Sequence, residues 1–129
     1  MPKFKVLIIE DNFPIRKLFT TILKKNLFEV AEFDNASDGI EWLKSNKPDI
    51  ILLDILLPDI TGTDALLIIK NMNGLNDVPV IAITGFAADD DRDKYLGLGF
   101  SHYMTKPVNV VTFADEINSF IIKFNTDEN

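Results

Sequence analysis

Pro48-Asp49-Ile50-Ile51-Leu52-Leu53-Asp54-Ile55-Leu56-Leu57-Pro58 is the stretch that decides the architecture. Ile50 to Asp54 reads as a strand apolar on both faces, and continuous apolar strands belong to parallel sheets covered by helices on both sides. Asp54 breaks the run. A charge punctuating Ile50 to Leu57 must be buried or stand at the rim of a site, because an isolated carboxylate in an apolar setting is costly.

The same pattern recurs on either side. Lys5-Val6-Leu7-Ile8-Ile9 is a short β-branched run ending abruptly in Glu10-Asp11-Asn12, and Val80-Ile81-Ala82-Ile83-Thr84 repeats its character. Phe28 to Phe33 alternates apolar with acidic residues like an outer strand, and Ser101 to Thr105 is a short fifth strand. Between them lie helical spacings. Ile15, Leu18, Phe19, Ile22 and Leu23 make one apolar face, with Pro14 in the first turn and Asp11 or Asn12 as the cap. Ala36 to Lys44 predicts a second helix with Ile40 and Leu43 inward, and Thr63 to Met72 a third with Leu66 and Ile69. Ala87 to Leu96 predicts a polar, acidic fourth, ended by Gly97 or Gly99. Phe113, Ile117, Phe120, Ile121 and Phe124 mark a fifth. Strand and helix alternating five times predict an α/β, flavodoxin-like (βα)5 fold. Its doubly wound, five-stranded parallel sheet has right-handed crossovers and the order 2-1-3-4-5. Residues 1–124 form the expected domain and 125–129 a loose tail.

Composition narrows the function. The 129 residues are about one domain's worth. Thirteen Lys plus Arg against twenty Asp plus Glu leave a net charge of −7, which argues against nucleic-acid binding. Without Cys there are no disulfides, thiol nucleophiles or thiolate metal sites, and His102 alone cannot build a zinc centre. No stretch approaches a signal peptide or a membrane span, so the expectation is a soluble, cytoplasmic protein.

In such a sheet ligands bind beyond the carboxyl ends of the strands. Glu10-Asp11, Asp54, Thr84 and Lys106 all fall there, although they are far apart in sequence. Two like charges ~4 Å apart repel by ~4 kcal/mol at an effective dielectric of 20, so protons or a divalent cation must relieve the cluster. Carboxylate oxygens suit Mg²⁺. Mg²⁺ with a Lys and a hydroxyl nearby suits a phosphoryl group, and an ionised carboxylate such as Asp54 attacks phosphorus without a general base. Singly, each residue has a plainer role: Asp11 a helix cap, Thr84 a loop hydroxyl, Lys106 a surface charge, Tyr103 an amphipathic edge residue. Asp89-Asp90-Asp91 and Asp93 are favourable acids at a helix start. The conjunction is what points to a site.

Leu7-Ile8-Ile9-Glu10-Asp11-Asn12, Asp49 to Asp54, Leu57-Pro58 with Gly62, Pro79 to Thr84, and Tyr103 with Lys106-Pro107 resemble, over nearly the whole chain, the receiver (CheY-like) domain of two-component response regulators. The resemblance implies a phosphorylation-activated switch rather than an enzyme. A histidine kinase or a histidine phosphotransfer protein supplies the phosphoryl group to Asp54, and only autodephosphorylation follows. It implies Mg²⁺ on Glu10, Asp11, Asp54 and the Leu56 backbone carbonyl, Lys106 and Thr84 on the phosphoryl group, and a cis Lys106-Pro107 bond. Thr84 and Tyr103 become the switch: Tyr103 turns inward as Thr84 moves, altering the surface of helix 4, strand 5 and helix 5 for a downstream effector. The expected state is a monomer or a weak phosphorylation-dependent dimer, away from membranes. Leu56 and Phe86, apolar where relatives are often polar, are expected to shield the acyl phosphate and lengthen its life. Phe86-Ala87-Ala88 and Lys106 to Phe113 are similar to DivK-type single-domain receivers and to receivers attached to hybrid kinases.

Other chemistries fit less well. A haloacid-dehalogenase phosphatase wants an Asp where Leu56 stands. Gly97-Leu98-Gly99 meets His102 where a dinucleotide fingerprint needs a small residue, and it precedes a strand. Glu10-Asp11 would repel the phosphate of FMN, and there is no Walker loop. A pseudo-receiver, folded for interaction but never phosphorylated, is the remaining alternative.

Overall fold

The computed structural model describes residues 4–85 and 91–127, the side chains of 126 and 127 excepted. The elements run β1 (Lys5–Ile9), α1 (Phe13–Lys25), β2 (Glu29–Phe33), α2 (Ala36–Leu43), β3 (Ile50–Asp54), α3 (Gly62–Lys70), β4 (Val80–Thr84), α4 (Asp91–Leu98), β5 (His102–Thr105) and α5 (Phe113–Asp127). All four strand pairings are parallel and the order is β2-β1-β3-β4-β5, as the alternation predicts. Among the described residues no helix is long and apolar enough to cross a membrane.

Successive strand side chains point to opposite faces, so each apolar run supplies two cores. Leu7, Ile9, Ile51, Leu53, Val80 and Ala82 pack against Ala36, Leu43, Ala65, Leu66 and Ile69 of α2 and α3. Val6, Ile8, Ile50, Leu52, Ile81 and Ile83 pack on the other face against Phe19, Leu23, Phe113, Ile117 and Ile121 of α1 and α5. Phe19 and Phe113 stack at 4.8 Å and tie those two helices together. A strand buried on both sides has no polar face to spare, which leaves its ends as the only place for charge.

Several expected boundaries shift for local reasons. Phe28 precedes β2 because its N–H donates to the Leu23 carbonyl and closes the C-terminus of α1. Ser101 lies outside β5, its N–H donating to the Val80 carbonyl. Leu18, expected on the buried face of α1, is 42% exposed and instead lines a groove of about 370 Å³ with Pro107, Val108 and Val110. The predicted start of the fourth helix, Ala87 to Asp90, lies outside the described residues. The helix continues through Gly97 to Leu98, and Gly99 stops it in a left-handed conformation (φ +115°) that glycine adopts freely. The expected tail begins as helix: α5 runs through Asn125 to Asp127, since the half-buried Phe124 prolongs its apolar stripe and no breaker follows.

The turn after α1 carries backbone strain. Leu27 N–H donates to the Lys24 carbonyl and Phe28 N–H to the Leu23 carbonyl, a Schellman closure whose left-handed position is usually glycine. Here it is Leu27, at φ 71° and 60% exposed. Left-handed backbone costs a side-chain-bearing residue about 1–2 kcal/mol, offset by the ~0.5–1 kcal/mol entropic cost of glycine. Leu27→Gly is therefore expected to stabilise the chain by about 0.5 kcal/mol, read as a higher urea midpoint with an unchanged slope; a lower midpoint would show that packing outweighs the strain.

Candidate functional site

The strand register gathers the polar residues. Ile9 pairs with Leu53, so Glu10 and Asp54 follow side by side at the carboxyl edge of the sheet. Thr84 pairs with Thr105, and the Lys106 N–H donates to the Thr84 carbonyl at 2.9 Å, which brings the Lys106 side chain over the same edge. Glu10, Asp11, Asn12, Ile15, Asp54, Leu56, Thr84, Gly85 and Lys106 line a cleft of about 500 Å³ there.

Each side chain is fixed by its neighbours. Asn12, not Asp11, caps α1, its Oδ1 accepting the Ile15 N–H at 3.0 Å; this leaves Asp11 exposed at the cleft. Glu10 is buried, with Oε2 accepting the Asn12 N–H at 3.1 Å and Oε1 paired with Lys106 Nζ at 2.6 Å. Asp54, only 5% exposed, accepts the Leu56 N–H on Oδ1 at 3.2 Å and faces Lys106 Nζ at 3.5 Å through Oδ2. One ligand oxygen from each of Glu10, Asp11 and Asp54 lies within 4.8 Å of the others. The Lys106-Pro107 bond is cis.

One ammonium serves two buried acids, and it does not neutralise both. Burial raises the Asp54 pKa to about 7, helped by the charge of Glu10 and a hydrogen bond shared with it; Lys106 and the Leu56 N–H pull the other way. Three clustered carboxylates with oxygen donors only form the kind of site that a small hard cation fits.

Leu56 projects outward at the cleft, 55% exposed, while its backbone bridges Thr61. Gly62 makes that turn possible: a Cβ there would lie 2.7 Å from both the Asp54 carbonyl oxygen and the Ile55 Cα. Tyr103 is not in the cleft. Its half-buried ring stacks on Tyr95 of α4 at 5.6 Å, and its Oη is buried without a hydrogen-bond partner among the described residues. Phe86 lies outside the described residues.

Two supports escaped the sequence reading. Arg16 donates from Nη1 to the Glu10 carbonyl at 2.9 Å and from Nε to Glu32 at 3.1 Å, clasping the end of β1. Asp59 accepts the Ala36 and Ser37 N–H groups at 3.1 and 2.8 Å, anchoring the loop after β3 to the start of α2. Burial works against the Asp59 carboxylate, but these donors prevail and hold its pKa near 2. Arg16 sits one residue beyond the predicted apolar position Ile15 and reads as a surface charge. Asp59 reads as a loop acid.

The raised Asp54 pKa fixes a sign. An acid that binds its proton more tightly when folded contributes most below its unfolded value near 4, and that contribution is lost as pH rises through about 7. Without divalent cations, the stability advantage of Asp54→Asn over the natural chain should grow by about 1–2 kcal/mol between pH 5 and 7. Urea unfolding at each pH tests this, and a constant difference would contradict the raised pKa.

Residues 6–118 match the family model of the response regulator receiver domain. The chain is 33% identical over 121 residues to the polar-differentiation response regulator DivK of Brucella anthropi, covering 94% of this chain and 98% of that one. In structure it is similar to a CheY-like response regulator receiver domain from Methanospirillum hungatei, with TM-score 0.85, 25% identity, and 95% and 97% of the two chains covered. The BeF3-activated receiver domain of DrrB superposes with TM-score 0.81 at 25% identity, over 94% and 98%. The fold, the acidic edge and the match along nearly its whole length place this chain in the receiver domain family of two-component response regulators.

Proposed function

We propose that the chain is a phosphorylation-activated switch in which Asp54 accepts a phosphoryl group from the phosphohistidine of a histidine kinase or histidine phosphotransfer protein. The observation that carries this is the buried Asp54 carboxylate, held by the Leu56 N–H, with the Lys106 ammonium 3.5 Å away and Glu10 and Asp11 beside it. Phosphorylation-dependent signalling is general to the family. The residue roles below are our assignment.

Glu10, Asp11, Asp54 and the Leu56 carbonyl would hold Mg²⁺. When bound, the ion supplies positive charge that keeps Asp54 ionised and offsets the phosphoryl oxygens. Asp54 then attacks the phosphorus, a carboxylate O–P bond forms, the histidine N–P bond breaks, and the released imidazole nitrogen takes up a proton. Lys106 exchanges part of its pairing with Asp54 for the new phosphoryl oxygens, which carry more negative charge. The Thr84 hydroxyl donates to one of them, and its movement is read by Tyr103 on the face built from α4, β5 and α5. The changed face acts on an effector protein. We place this exchange in the cytoplasm, where such kinases present their phosphohistidine, with the chain monomeric or weakly dimeric once phosphorylated.

Acetyl phosphate with Mg²⁺ should add the mass of one phosphoryl group to the natural chain and none to Asp54→Asn. A natural chain that stays unmodified, and does not respond to beryllofluoride either, would mark a pseudo-receiver.

We assign Leu56, which lines the cleft and is 55% exposed, and Phe86 the role of shielding the acyl phosphate from water. Phosphate release from Leu56→Asn should be several-fold faster than from the natural chain. An unchanged release rate would remove Leu56 from that role.

A further inference from the structure

The helix α4 is weakly attached. None of its described side chains is buried, and among the described residues its most extensive packing is on β5. Its Tyr95 is the exception to this looseness. The ring stacks on Tyr103 with centroids 5.6 Å apart and planes 17° from parallel, and it meets Phe100 edge-on at 5.9 Å and 88°. Lys94 Nζ lies 5.6 Å from the centroid of the same ring. Phe100 is buried in the core shared by β3, β4 and α3, so Tyr95 is wedged between a fixed ring and one that has only partial burial.

Tyr103 needs such a neighbour. Its buried Oη finds no hydrogen-bond partner among the described residues, and an unmet buried hydroxyl favours turning the ring out to water. The stacked contact opposes that tendency. The position of Tyr103 and the position of α4 are therefore held by one shared aromatic contact.

We propose that Tyr95 is a positioning residue of the switch: it holds Tyr103 in its half-buried, inward orientation and couples that orientation to α4. This rests on the reading of Asp54 as phosphoacceptor and Tyr103 as reporter. Tyr95 does not line the acidic cleft, and among the described residues its ring–ring contacts are with Tyr103, a residue of the switch, and with Phe100 of the core. Because coupling is reciprocal, loosening Tyr103 also weakens binding of a phosphoryl mimic at Asp54. The worth of an aromatic stack corresponds to about a two- to ten-fold change in population.

The chain has two tyrosines, so removing Tyr95 leaves Tyr103 as the sole tyrosine signal. Fluorine NMR of fluorotyrosine-labelled protein, titrated with beryllofluoride in the presence of Mg²⁺, reads the switch directly. In Tyr95→Leu the Tyr103 resonance should move toward its solvent-exposed value, and half-saturation should need two- to ten-fold more beryllofluoride. Tyr95→Phe, which keeps the ring, should match the natural chain in both. An unchanged Tyr103 signal and half-saturation in Tyr95→Leu would overturn the proposal, as would a Tyr95→Phe variant that behaves like Tyr95→Leu. Absence of any response in the natural chain would instead defeat the phosphoacceptor assignment, and mass spectrometry after acetyl phosphate treatment separates the two.

Discussion

The pairing of one ammonium, Lys106, with two buried carboxylates, Glu10 and Asp54, governs the organisation of this molecule. Charge buried to this degree is tolerated only with close partners. Here the partners come from three strands that meet at one edge, so the sheet must keep its register for the charges to be met at all. The doubly apolar strands secure that register, because a slip by one residue would drive Asp54 into a core and Leu53 into the cleft.

That arrangement remains deliberately short of positive charge. Lys106 balances one acid, while burial raises the Asp54 pKa to about 7, so that the carboxyl is about half protonated at neutral pH. A site of this kind gains from any cation or positively paired anion that enters it. Fold and chemistry are thereby linked: the same burial that makes the β-strands parallel and central makes the acid at their end sensitive to what binds there.

Much of this was legible in the sequence, for physical reasons. Ile50 to Leu53 could belong only to a strand covered on both faces, and the repetition of that pattern at Val6 to Ile9 and Val80 to Ile83 fixed a parallel sheet. Glu10, Asp54 and Thr84 were legible because each follows or ends such a run, and Lys106 because it follows the short β5. Boundaries were less so: Phe28 is taken up by the closing turn of α1 through the Leu23 carbonyl, and Ser101 by the distant Val80 carbonyl, neither of which the strand pattern encodes. Asp59 and Arg16 were hidden for a related reason: the loop acid takes its meaning from backbone N–H groups more than twenty residues away, and the helix base from the Glu10 carbonyl and the Glu32 carboxylate on another strand. Tyr95, inside a segment that reads as a polar, acidic helix, gains its role from stacking on Tyr103, a contact set by tertiary packing.

The two flanks of the cleft differ in how firmly they are built. On one flank the segment following β3 is riveted at Asp54 through Leu56, at Ile55 through Gly62, and at α2 through Asp59, while α3 behind it sinks four residues into the core. On the opposite flank α4 sinks none. A load applied at the carboxylates will therefore deform the molecule in one direction, toward α4 and β5, much as a door with a rigid jamb can swing only on its free side.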